Sequence, residues 1–222
     1  MTDGVELCAV VFDLDGLIVN SEDVYERVDI EVLRRRGQAF EPALREQMMG
    51  RPAAHSVQIM IDHHALTESV ADLDAERTVL FDQLIIDYAE HMPGFMPLLD
   101  ALDAAELPAA IATSGTRSYA TKVLNRLGIA SRFRFVLTAE DIEHGKPAPD
   151  VYQLAARKLE MLPHEVMVLE DSGNGCQAGV AANAFTVAVP NRHTHNHDFS
   201  GARFIADTLA DRRIFQTLKI VE

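Results

Sequence analysis

Cysteine is scarce: the 222 residues hold two, Cys8 and Cys176. With no secretory leader at the amino terminus they are expected as free thiols, and neither has the company that a nucleophilic thiolate needs. Long apolar runs are missing too. None approaches the roughly 20 residues that span a bilayer, which argues against a transmembrane helix and points to the cytoplasm. Basic charge is in deficit, 20 Lys and Arg against 34 Asp and Glu, and a formal net charge of -14 disfavours nucleic acid or an anionic membrane as partner. Residues 17–91 contain no lysine at all. No internal repeat is present, and no low-complexity tract beyond His193-Thr194-His195-Asn196-His197, so repeat arrays and disordered chains are not expected.

What the chain has in quantity is apolar residues, 48%, enough for one large α/β domain or a core with a smaller insert. The most informative stretch is Val10-Val11-Phe12-Asp13-Leu14-Asp15-Gly16. A β-branched and aromatic run ends in two aspartates one residue apart, which reads as a buried strand opening onto a site. Parallel sheets bind ligands at the carboxyl ends of their strands, so Asp13 is a candidate nucleophile or metal ligand.

Downstream, Asn20-Ser21-Glu22 signals the start of a helix that runs to about Arg36 and stops at Gly37. From there to His91 the period is helical. Pro42 and Pro52 stand at helix starts, and a last long helix over 75–91 turns Leu80, Leu84 and Tyr88 to one side. Residues 18–91 are therefore expected as a helical insert between two strands, with 1–17 and 92–222 as the core. The links Leu17 to Asn20 and Met92-Pro93-Gly94 would form a hinge. Beyond it helices (95–106, 116–127, 149–159, 173–182) alternate with strands (108–113, 135–138, 166–169, 185–189), which predicts a doubly wound, Rossmann-like parallel sheet.

The strand ends carry chemistry. Asp13 and Asp15 follow the first strand. Ser114, Gly115 and Thr116 follow the second and suit an anion at a helix start. Lys146, one of four lysines, follows the third in Glu143-His144-Gly145-Lys146-Pro147, and the fourth ends in Glu170-Asp171-Ser172, acids suited to a hard cation. Together these are the parts for phosphoryl transfer: a carboxylate nucleophile, an acid for the leaving oxygen, Mg²⁺, and donors for the phosphoryl oxygens.

The set Asp13-Leu14-Asp15-Gly16, Thr113-Ser114-Gly115-Thr116, Lys146-Pro147 and Glu170-Asp171-Ser172 resembles the four signature motifs of the haloacid dehalogenase superfamily, in the branch with a helical cap inserted after the first strand. Within it the chain is most similar to β-phosphoglucomutase-like sugar-phosphate phosphatases. The resemblance implies that Asp13 forms an aspartyl-phosphate and that Asp15 is the general acid and base, lending its backbone carbonyl to Mg²⁺. It further implies that Ser114 and Lys146 hold the phosphoryl group, that Asp171 with Glu170 completes the metal site, and that the insert closes over the substrate.

Plainer readings stand beside these. Ser114 also suits a helix cap, and a one-residue shift would hand its task to Thr113 or Thr116. Lys146 alone would read as a solvated charge, and Glu170 as a residue behind the ligands. Arg51 and His55 fall where relatives carry a substrate-specificity loop, though a surface arginine is the bland alternative. Arg34, Arg35 and Arg36 are expected to complement a helix dipole. The histidines of 193–197, and the pair His63-His64, lack an accompanying acid or cysteine pattern and read as loop polarity. Three functions compete: a Mg²⁺-dependent phosphatase of a small phosphorylated metabolite, a β-phosphoglucomutase-like phosphotransferase, and a catalytically idle binding module. The missing insert lysines, and Tyr25 near where mutases would carry a cap-linker histidine, favour hydrolysis. A dehalogenase has no need of Asp15, and a phosphonatase would need an insert lysine. The expected partner is a small phosphorylated substrate, met by a monomer.

Overall fold

The computed structural model describes residues 6–48 and 53–220. The chain forms two compact units, one running to Asn20 and resuming at Glu90, the other Ser21–Ala89. Arg51 and Pro52 lie outside the described residues.

The Ser21–Ala89 unit is helical throughout its regular structure: α1 (Ser21–Arg34), α2 (Pro42–Met48), α3 (Ala53–His64) and α4 (Val70–Tyr88). The predicted last helix begins too late. Ser69 caps α4, its Oγ accepting from Asp72 N at 3.2 Å and donating to the Asp72 carboxylate at 2.7 Å, so the Ser-x-x-Asp signal sets the start five residues earlier. The buried face of α4 is Leu73, Arg77, Leu80, Phe81 and Ile85, while Tyr88 is exposed. The arginine run at the end of α1 does more than complement a dipole. Arg36 donates to Val32 O at 2.8 Å and also ties Glu68 and Glu76 at 2.7 Å each.

In the other unit six strands, β1 (Ala9–Phe12), β2 (Ala109–Ala112), β3 (Val136–Leu137), β4 (Val166–Glu170), β5 (Phe185–Ala188) and β6 (Phe204–Ile205), form a parallel sheet in the order β3-β2-β1-β4-β5-β6. The central strands are unbroken apolar runs, buried at every position of β1 and β2, because helices cover both faces. Val11 points into a cluster with Val151, Tyr152, Ala155 and Ala156 of α7 (Asp150–Leu159) and with Ala178 of α8 (Gly173–Ala181). Phe12, one residue on, meets Phe95 of α5 (Phe95–Ala104) edge to face, 5.9 Å between ring centres. Helix α6 (Arg117–Leu127) ends at Gly128 in the left-handed conformation, φ 70°. Three differences from the expected elements appear: β3 is two residues long, and β6 and α9 (Arg212–Leu218) follow β5 where no element was expected. Cys8 precedes β1, and both cysteines are free. The segments that leave and re-enter this unit pair with each other: Val19 bridges His91, and Asn20 Oδ1 accepts from Glu90 N at 2.8 Å. Among the described residues no helix is long and apolar enough to cross a membrane.

The strand order turns back at β1, with β2 on one side and β4 on the other. In such sheets the crevice at the carboxyl ends beside the turning strand is where ligands sit.

The helical unit holds a buried ion pair, Asp29 with Arg77, at 2.7 Å. Removing one partner strands a charge in an apolar setting, whereas removing both does not. Arg77→Met is expected to lower stability in urea unfolding by about 3–5 kcal/mol, and the double change Asp29→Leu/Arg77→Met to recover most of that. A single-variant loss below about 1 kcal/mol would show that the pair is not desolvated.

Candidate active site

Asp13 is the first residue past β1, yet its N–H still donates to Leu169 O of β4 at 3.0 Å, so the sheet fixes its backbone. Its side chain is buried. Gly16 then turns the chain with φ 74°, and a Cβ there would sit 2.4 Å from Asp171 Oδ2 and 2.7 Å from Asn191 Nδ2. Glycine is needed both for the turn and for the close approach of the β4 and β5 loops.

Lys146 lies at the centre. Its ammonium donates to Asp13 Oδ1 at 2.5 Å, Glu170 Oε1 at 2.6 Å and Ala112 O at 2.9 Å, using three donors on three strand ends. Glu170, fully buried at the end of β4, is the most heavily supported carboxylate. Its Oε1 also accepts from Tyr152 Oη at 2.6 Å, and its Oε2 accepts from Ser172 N at 3.2 Å and Ser172 Oγ at 3.0 Å. Gly175 leaves room for it: a Cβ there would fall 1.8 Å from Oε1. Asp171 Oδ2 accepts from Asn191 Nδ2 at 2.8 Å, and the same amide donates to Gly16 O at 3.0 Å.

Asp13, Glu170 and Asp171 each offer an oxygen within 4.8 Å of the others, and all three are buried. Among the described residues this is the one such cluster of potential metal-ligating side chains. Three carboxylates against one ammonium leave a surplus of negative charge away from water, and hard oxygen donors of this kind fit a divalent cation. Burial pushes the Asp13 carboxyl up to about 8, against the pull of Lys146 and with the Glu170 and Asp15 charges adding to the rise. Burial alone would lower Lys146, but Asp13 and Glu170 outweigh it and hold the ammonium well above its ordinary range.

The Asp15 carboxylate is outside this cluster. It accepts from Thr113 Oγ1 at 3.2 Å and from the Tyr119 hydroxyl. Ser114 is exposed past the end of β2 and does not cap α6; Thr116 does, its Oγ accepting from Tyr119 N at 3.3 Å. The Gly115 N–H, on the loop read as an anion cradle, donates to Thr113 Oγ1 at 2.9 Å. His55 is exposed on α3 of the helical unit, and Arg51 lies outside the described residues. In the histidine loop His197 Nδ1 accepts from Gly173 N, at the start of α8, at 3.2 Å, and the His195 ring bonds Arg192 O at 2.9 Å.

Sequence reasoning missed Tyr119, Tyr152 and Asn191. Asn191 had a signal, since it follows the fifth strand as the other site residues follow theirs. The two tyrosines had none, because each sits at a helical position that reads as packing.

A family model described as haloacid dehalogenase-like hydrolase matches residues 10–189. Hexitol phosphatase A of Escherichia coli is 36% identical over 181 residues, covering 81% of each chain. The mitochondrial (DL)-glycerol-3-phosphatase 1 of Arabidopsis thaliana is 32% identical over 190 residues, 82% of this chain and 63% of that one, so the match spans less than two thirds of that relative's length. A crystal structure of a haloacid dehalogenase family hydrolase from Deinococcus radiodurans with bound phosphate and sodium superposes with a TM-score of 0.81 at 28% identity, over 98% of both chains.

Gly175 is in the first turn of α8, where alanine would ordinarily strengthen a helix. Gly175→Ala is expected to do the reverse, lowering stability in urea unfolding by about 1–3 kcal/mol as Glu170 is driven from its four donors. An unchanged or raised midpoint would show that Glu170 moves aside freely. The chain belongs to the haloacid dehalogenase-like hydrolases, and its relatives there place it among the phosphoric monoester hydrolases.

Proposed function

We propose that the protein is a Mg²⁺-dependent phosphatase of a small phosphorylated sugar or polyol, working through an aspartyl-phosphate on Asp13. The observation behind this reading is the buried Lys146 bonded at once to Asp13 and Glu170, with Asp171 beside them. The named relatives, a hexitol phosphatase and a glycerol-3-phosphatase, support the substrate class.

Asp13, Glu170 and Asp171 would hold the cation, with the Asp15 backbone carbonyl. Once bound, it supplies positive charge that offsets the phosphoryl oxygens and keeps Asp13 ionised. Lys146 restrains one Asp13 oxygen, and the carboxylate attacks phosphorus, forming the O–P bond as the bond to the sugar oxygen breaks. Asp15 gives its proton to that leaving oxygen and then takes one from water, whose oxygen attacks phosphorus as the bond from phosphorus to Asp13 breaks, releasing phosphate and restoring the Asp13 carboxylate. The Lys146 charge offsets the phosphoryl oxygens from beside Asp13, and the Ser114 hydroxyl donates to them as charge moves onto them. The mutase alternative shares these parts but must retain a bisphosphorylated intermediate, for which an insert without lysine is poorly equipped.

Purified protein should release inorganic phosphate from hexitol, hexose or glycerol phosphates when Mg²⁺ is supplied. Asp13→Asn should reduce kcat by at least about 10³-fold. Borohydride should convert residue 13 to homoserine during turnover of the wild type. Turnover surviving Asp13→Asn would contradict the reading, and conversion of β-glucose 1-phosphate to glucose 6-phosphate without phosphate release would select the mutase.

A further inference from the structure

We infer that Tyr119 is the positioning residue of Asp15: its hydroxyl, with that of Thr113, fixes the Asp15 carboxyl for proton transfer to and from the leaving group. The inference rests on the phosphatase reading above and adds to it a residue outside the four motifs.

An aspartate at a loop turn swings about two torsions, and a proton donor that swings is in line with the leaving oxygen only part of the time. Here two hydroxyls grip it, one just past the end of β2 and one on α6. Thr113 Oγ1 donates to Asp15 Oδ2 at 3.2 Å and the Tyr119 hydroxyl donates to Oδ1, so each carboxyl oxygen has its own donor and the plane of the group is set. The donors are themselves held. Thr113 is buried, and its Oγ1 accepts from Gly115 N at 2.9 Å. Tyr119 is in the first turn of α6, where its N–H donates to the capping Thr116 Oγ at 3.3 Å.

Gly115 completes the device. A Cβ at that position would lie 2.8 Å from Tyr119 Cδ1 and 3.3 Å from Thr113 Oγ1. The glycine of the loop therefore makes room for the tyrosine ring that crosses it. Thr113, Gly115 and Thr116 thus serve the placement of Tyr119 and Asp15, which leaves Ser114 of this stretch to face the phosphoryl group.

The test is a kinetic cycle on a hexitol or glycerol phosphate whose leaving alkoxide needs a proton. Tyr119→Phe keeps the ring and removes the hydroxyl. It should lower kcat by about tenfold, the worth of one well-placed hydrogen bond, with KM within about twofold. In an Asp15→Asn background the same change should have little further effect, because there is no carboxylate left to position. Gly115→Ala should lower kcat in the same direction. If Tyr119→Phe matches the wild type while Asp15→Asn is impaired, the inference falls and the phosphatase reading stands. An equal loss in both backgrounds would also overturn it, since the tyrosine would then act independently of Asp15. A wild type that releases no phosphate from any ester overturns both.

Discussion

One ammonium holds the site together. Lys146 is buried between Asp13 and Glu170 and reaches both at hydrogen-bond distance, with its third donor on Ala112 O. A lysine so placed would be costly alone, as would either carboxylate, and each is tolerable because the others are there. The trio also joins the carboxyl ends of β1, β2 and β4 with the loop beyond β3.

The sheet order makes the contact possible. Because β1 lies between β2 and β4, the acids that end β1 and β4 face the same crevice, and the loop carrying Lys146 needs only to cross the end of β2. Glycines then set the distances. Gly16 lets the β1 loop approach Asp171 and Asn191, and Gly175 leaves the volume that Glu170 fills. Tyr152, Ser172 and Asn191 donate to the acids from behind, so the carboxylates are held by hydrogen bonds before any ligand arrives. The resulting excess of negative charge is stable only with positive charge beside it, and a phosphoryl group would bring more negative charge still.

Much of this was legible in the chain because strand ends are punctuated by residues with few structural excuses. Two aspartates one apart after an apolar run, a lysine in a lysine-poor chain, and a Glu-Asp pair after another apolar run each mark a place, and parallel topology gathers such places at one edge. The parallel core was legible for the same reason, its strands reading as continuous apolar runs. What escaped was held by longer-range contacts. Tyr119 and Asp15 are 104 positions apart, and nothing in the local pattern of α6 distinguishes a tyrosine that packs from one that donates a hydrogen bond. The start of α4 was legible in Ser69 and Asp72 but was outweighed by the apolar period further on. The choice among the hydroxyls of the Ser114 turn depends on which one the α6 start uses, and that is Thr116.

On the proposed reading, the carboxylates of Asp13, Glu170 and Asp171 around Lys146 would be completed by a divalent cation. Thermal unfolding with and without Mg²⁺ tests it directly, because a ligand that binds only the folded chain stabilises it by about 2.7 kcal/mol at a hundredfold excess over Kd. Millimolar Mg²⁺ should raise the wild-type Tm by several degrees and leave that of Asp171→Asn unmoved. Equal shifts in both proteins, or none in the wild type, would contradict it.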